Sequence, residues 1–140
     1  MTVAEAHLDA LDFIRHNPRA VLATQRRDGS PQLSPVLATV DAESRIVVSS
    51  RETAIKVVNL RRHPHATLCF LNERFFGEWR TVDGPVEIVS LPDAMEPLVD
   101  YYRRAVGEHP DWDEYRSAME RERRVLLRVT VERSGPTQQG

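Results

Sequence analysis

Hydrophobic positions along the chain follow two rhythms. Leu8, Leu11 and Ile14 recur every third residue over 3–17 and stop at Pro18, which predicts an amphipathic helix. The period then drops to two. "RAVLATQRR" (19–27) reads as a strand, Asp28-Gly29 as a hairpin turn, and "PQLSPVLATV" (31–40) as the returning strand. Its prolines, Pro31 and Pro35, suit an edge, a bulge or a break in the ladder. "DAES" (41–44) makes the next turn and "RIVVSS" (45–50) the third strand. Helical spacing returns from Thr53 to Arg62, with Ile55, Val58 and Leu60 on the inner side, and Pro64 ends it. "HATLCFLN" (65–72) and "EWRTVDGPVEIVSL" (78–91) are the fourth and fifth strands, the latter open to a split at Asp83-Gly84-Pro85. Two helices follow. Met95, Leu98, Val99 and Tyr102 form the stripe of the first. Asp111 caps the second, with Glu114 three residues on and Trp112, Tyr115 and Met119 as its stripe. In "RVLLRVTVE" (124–132), Val125, Leu127, Val129 and Val131 alternate with Leu126, Arg128, Thr130 and Glu132, a last strand. The tail over 133–140 reads as loose.

Short antiparallel strands with a helical pair inserted before the last one predict a mainly β fold, a six-stranded barrel with peripheral helices, in one domain over 1–140. Such a barrel is too narrow to hold a ligand in its lumen. A sizeable ligand must bind outside, against a wall or between subunits.

Composition narrows the classes. A chain of 140 residues fits one domain with its own core. A net charge of -2 argues against a dedicated nucleic-acid binder. No apolar run approaches the ~18 residues of a membrane span. The N-terminal "MTVAEAHLDALDF" has acids where a secretory signal has basic residues. The single cysteine, Cys69, suits a reducing cytoplasm and reads as a small buried hydrophobe.

The chemistry concentrates in "VSSRETAIKVVNLRRHPHATLCF" (48–70). Ser49 and Ser50 end a strand beside the start of a helix, where amide N–H groups lack partners and the dipole favours an anion. Lys56 and Asn59 are three apart and share a helix face, opposite the apolar one. This set suits a phosphate; the other reading is a solvated basic face with a serine cap. In "GSPQLSPV", Gln32, Ser34 and Val36 alternate with Leu33, Pro35 and Leu37. That strand reads either as one that meets a flat heteroaromatic edge or as an edge strand with a polar outer face. Phe75, Phe76 and Trp79 suit a ring pocket, a dimer contact or core packing. The histidines show no metal-ligand spacing, and there is no phosphate loop, nucleophile elbow or nucleophile–base pair. No catalytic side chain is assigned; a bound cofactor would carry any reaction.

"VLATQRRDGSPQLSPV", "RIVVSSRETAIKVVNLRRHPHATLCF" and "GEWRTVDGPVEIV" together resemble the split β-barrel flavin- and deazaflavin-dependent oxidoreductases, the pyridoxamine 5'-phosphate oxidase-like proteins. The order A-T-x(4)-G-x-P-Q-x-S, then K-x-x-N-L-R-R-x-P, carries the resemblance, which covers nearly the whole chain. "YYRRAVGEHPDWDEYRSAMERERRVLLRV" resembles the actinobacterial branch assigned to coenzyme F-420. The resemblance implies an FMN-binding-type split barrel that forms a cytoplasmic homodimer, with cofactor sites at the subunit interface. It places Ser49, Ser50, Lys56 and Asn59 at the cofactor phosphate, Gln32, Leu33, Ser34, Pro35 and Val36 along the ring, and Trp79 near it. Relatives often carry an arginine two residues before the lysine; here Ala54 stands there, and Arg51 is the candidate to compensate. The implied activity is hydride transfer from reduced coenzyme F-420 to an electron-poor small molecule. The alternatives are an FMN-dependent oxidase or reductase and a non-catalytic cofactor carrier. Arg51, Arg61 and Arg62 would suit the anionic tail of coenzyme F-420.

Overall fold

Helix α1 (Val3–His16) opens the chain on a capping box, in which Glu5 N–H donates to the Thr2 hydroxyl and Thr2 N–H to the Glu5 carboxylate, both at 3.1 Å. The computed structural model describes residues 2–136. The buried face of α1 is Ala6, Ala10, Leu11, Phe13 and Ile14, whereas Leu8 is 66% exposed. This corrects the expected stripe. Steps of three fall short of a full turn by about 60° each, so Leu8 rotates off the face that Ile14 buries.

The strands are β1 (Arg19–Gln25), β2 (Pro31–Val40), β3 (Ile46–Arg51), β4 (His65–Leu71), β5 (Trp79–Val89), β6 (Arg124–Val129) and β7 (Arg133–Gly135). Their order is β4-β1-β2-β3-β6-β5-β7, and β4 also pairs with β5. That pairing closes a six-stranded antiparallel barrel and leaves β7 outside it on β5. The barrel is a split one. β2 gives residues 31–37 to β1 and 38–40 to β3. β5 gives 79–85 to β4 and 86–89 to β6. The expected split at Asp83-Gly84-Pro85 is therefore a change of partner within one continuous strand. Part of the segment expected to be loose, 133–135, is β7; the tail beyond Pro136 lies outside the described residues.

Helices α2 (Ile55–Arg62), α3 (Met95–Ala105) and α4 (Trp112–Arg121) complete the fold. The barrel interior packs Ala20, Leu22, Val40, Ile46, Val48, Leu68, Phe70, Val125, Leu127 and Val129, with Ile14, Val57 and Leu60 from the helices. A second core lies between the outer face of β3 and β6 and the α3/α4 pair, through Val47, Leu126, Leu98, Val99, Tyr115 and Met119. Leu126 is thus as buried as its alternating neighbours, because helices cover that face. Cys69 faces outward and is half-buried, not in the core; burial pushes its thiol up, away from the reactive range. Among the described residues no helix is long and apolar enough to cross a membrane.

Candidate functional site

The site begins where β2 and β3 part. Their last shared pair is Ala38–Val48. Continuing that register would set Val36 against Ser50, but no such pair forms. Ala38 N–H donates to Pro18 O at 2.8 Å, so the even residues of β2 turn their main chain towards β1. The odd ones, Leu33, Pro35 and Leu37, turn theirs to the opening. Pro35 has no N–H, so this edge cannot zip shut at its centre. Tyr101 on α3 holds the mouth: its hydroxyl donates to Leu37 O at 2.8 Å and accepts from Ser49 N–H of β3. Burial raises the Tyr101 pKa, which keeps the phenol a neutral donor.

A chain of side chains stiffens this edge from within. Arg62 Nη2 donates to Asn59 Oδ1 at 3.2 Å, and Asn59 Nδ2 to Thr24 Oγ1 at 3.2 Å. Thr24 Oγ1 donates to Gln32 Oε1 at 2.9 Å, and Gln32 Nε2 to Leu33 O at 3.2 Å. The relay runs from α2 through β1 to the open strand. Thr24→Val is expected to cost about 1–3 kcal/mol, because it strands the buried amides of Gln32 and Asn59. Urea denaturation of the two proteins, compared at equal m-value, checks this.

At the far side of the opening the charges gather. Ser49 and Arg51 take the helix-facing side of β3, and Arg124 faces Arg51 across the β3–β6 pair. Lys56 stands beside Arg124; burial first, then that guanidinium, lowers the Lys56 pKa. Arg51 Nη2 and Arg124 Nη2 both donate to Glu122 Oε1, at 3.1 and 2.8 Å, and these arginines hold the Glu122 carboxyl below its usual range. α2 starts at Ala54 with no side-chain cap, and among the described residues only Val57 N–H of its first turn finds a partner, Ala54 O at 3.0 Å.

The residues picked from sequence divide as follows. Lys56, Ser49 and Arg51 come together with Arg124. Ser50 points into the barrel, and its hydroxyl goes to Arg51 O at 3.2 Å. Asn59 is only 2% exposed and serves the relay; Ile55 and Val58 are the exposed residues of α2, while Val57 and Leu60 are buried. The expected inner side of α2 is corrected: Val57 takes the place of Ile55 and Val58 beside Leu60, and Asn59 is buried with them while Lys56 stays partly exposed. Arg62 is spent on Asn59 and Gln25 O, whereas Arg61 is exposed. On β2, Gln32 and Val36 point inward, Leu33 is 61% exposed on the outside, and Ser34 Oγ is buried with no hydrogen-bond partner. Pro35 also walls a cavity of about 420 Å³ with Val21, Leu71 and Phe75. Phe76, at 93% exposed, rules out core packing for the Phe75–Phe76 pair. Trp79 is 43% exposed on β5, and β1 and β4 lie between it and β2. Three strand spacings put it roughly 14 Å from the open edge, outside the site of its own protomer. Thr24, Tyr101, Glu122 and Arg124 were not among the predicted residues. Only the A-T motif hinted at Thr24, and the others reach the site through long-range pairing. Among the described residues no group of His, Cys, Asp and Glu is placed to hold a metal ion.

A family model described as pyridoxamine 5'-phosphate oxidase matches residues 8–137. The chain belongs to this family. Solved structures with the same fold include the conserved hypothetical protein Rv2991 from Mycobacterium tuberculosis, at 24% identity and TM-score 0.73, covering 100% of this chain and 92% of that one. An F420 reductase matches at 21% identity and TM-score 0.67, covering 91% of this chain and 94% of that one. A heme binding protein from Mycobacterium smegmatis matches at 17% identity and TM-score 0.69, covering 92% of this chain and 52% of that one. At these identities the likeness is one of fold. The family includes oxidoreductases.

Proposed function

We propose that this family member is a cytoplasmic, homodimeric oxidoreductase that uses reduced coenzyme F-420 to reduce an electron-poor double bond in a small planar substrate. The observation that carries the reading is one continuous arrangement. An unpaired strand edge at 33–37 ends at Ser49, Arg51, Lys56 and Arg124, which suits a flat heteroaromatic ring joined to a phosphate. Arg124 Nε, buried in the cluster without a partner, is a donor that the anionic group of such a ligand would meet. When bound, the deazaflavin supplies the hydride.

The chain's own residues bind, orient and shield. Leu33 N–H and Pro35 C=O offer one donor and one acceptor to a ring edge, and the Arg62–Asn59–Thr24–Gln32 relay fixes where they sit. Lys56 and Arg124 offset the phosphate charge. The outer face of β1, β2 and β4 carries Val21, Leu33, Pro35, Cys69 and Leu71, and no described helix covers it. A second copy docked on that face would exclude water from the ring and bring its Trp79 towards the site. Solvent supplies the proton that follows the hydride. The protein is therefore expected to be a dimer in dilute solution by light scattering; a stable monomer that still binds cofactor tightly would contradict this.

The test of the activity is turnover of reduced coenzyme F-420 with a panel of quinones, enones and tetrapyrroles. Reoxidation that depends on acceptor supports the enzyme. Tight binding with no turnover on any of them would make the protein a carrier.

A further inference from the structure

The Glu122 carboxylate lies where an anionic ligand's oxygen would be most at home. It sits at the C-terminal end of α4. One of its oxygens takes both Arg51 Nη2 and Arg124 Nη2. Around it the α4–β6 turn is fixed. Arg123 adopts φ 52°, its guanidinium pairs with Glu52 at 2.8 Å, and Glu52 N–H donates to Arg123 O at 2.9 Å. Glu122 and Arg124 are both about three-quarters buried by side chain, at 28% and 26% exposed. Yet the guanidinium is left incomplete: Arg124 Nε is buried and unbonded. Lys56, beside Arg124, makes no ion pair among the described residues. An internal acid thus neutralises part of the cationic cluster but leaves some of its donors free.

We propose that Glu122 is a resident counter-anion that selects among phosphate esters by charge, favouring a singly charged diester over a doubly charged monoester. This rests on the reading of the cluster as a phosphate site. The reason is Coulomb's law. A fixed negative charge opposes each ligand charge in proportion, so the penalty on a dianion is about twice that on a monoanion at the same place. In affinity the doubling becomes a square. The phosphate of coenzyme F-420 is a diester and carries one charge. That of FMN is a monoester and carries nearly two above its second pKa of about 6. Glu122 therefore shifts the balance towards the first, offsetting part of the advantage that the surrounding cations give a dianion.

The experiment compares the wild type, Glu122→Gln and Glu122→Asp, each titrated with coenzyme F-420 and with FMN by fluorescence at mildly alkaline pH. Glu122→Gln keeps an oxygen for the arginines and removes the charge. If it tightens coenzyme F-420 by about threefold, it should tighten FMN by about tenfold. Taking each ligand's ratio to wild type cancels the difference between the rings. Glu122→Asp keeps the charge and should leave the preference unmoved. Thermal melting checks the fold, and Glu122→Ala is a second neutral variant should the glutamine variant melt early. Equal changes for both ligands, or weakening of both, would make Glu122 a structural clamp and overturn the proposal while leaving the cofactor reading intact. No binding of either ligand to the wild type would overturn both.

Discussion

Lys56→Ala is expected to weaken binding of a phosphate-bearing cofactor about ten- to hundredfold and to leave the fold no less stable. A charge-assisted hydrogen bond to phosphate contributes about 1.5–3 kcal/mol, which is that range in affinity. The stability half of the expectation follows from the sign of the Lys56 shift. Burial and the adjacent Arg124 lower its pKa, so the charged lysine is less at ease in the folded chain than in the unfolded one. Below its unfolded pKa that shift opposes folding, and alanine removes the opposition. A residue kept for stability would behave the other way. The same shift gives a pH signature. Affinity should fall as pH rises through the lowered Lys56 pKa, at a lower pH than an ordinary lysine would allow. Lys56→Arg keeps its charge throughout and should remove that fall. Cofactor titrations at several pH values, with urea denaturation of the same proteins, check both halves. Unchanged affinity with lost stability would return Lys56 to a structural role.

Gly84→Ala is expected to be the most damaging small substitution in the barrel, at a cost of more than about 3 kcal/mol. Gly84 lies where β5 leaves β4 for β6. A Cβ built there would lie 1.7 Å from Thr130 O and 2.9 Å from Thr130 C. Those are main-chain atoms, and they cannot step aside as a flexible side chain would. They are also held in place: Thr130 N–H donates to Pro85 O at 3.0 Å and Glu132 N–H to Asp83 O at 2.9 Å. A methyl group must break these bonds or push β7 off β5. Equilibrium denaturation should show a large drop in midpoint, and a loss under 1 kcal/mol, about the ordinary cost or gain of a Gly-to-Ala change, would show that the crossing is looser than described.

The architecture was largely legible because its signals are local. The Asp28-Gly29 turn, the ten-residue strand from Pro31 and the Asp111 cap are each written within a few residues, and each stands where expected. The inner face of α2 was not. In an eight-residue helix, Ile55 and Val58 satisfy an apolar period as well as Val57 and Leu60 do. The choice is made by Thr24, 35 residues away, which draws Asn59 inward. Arg124 and Glu122 were out of reach for the same reason: Glu122 meets Arg51 across 71 residues, through the β3–β6 pairing. Trp79 was visible as an aromatic near a turn, but its position on the wrong strand for its own protomer appears only once the barrel is closed. Pro35 is the opposite case. A proline in a strand announces a broken ladder, and the ladder breaks beside it.

The most direct test is titration of the purified protein with coenzyme F-420 and FMN side by side, at low and high salt. Both ligands carry a ring and a ribityl phosphate. Coenzyme F-420 extends past the phosphate into an anionic tail, for which Arg61 remains exposed at the surface. Exposed charges of this kind contribute up to about 1 kcal/mol each and are screened by salt. Tighter binding of coenzyme F-420, with a gap that narrows as salt rises, is the predicted result. Equal affinities at low salt, or FMN retained at full occupancy through purification, would contradict it.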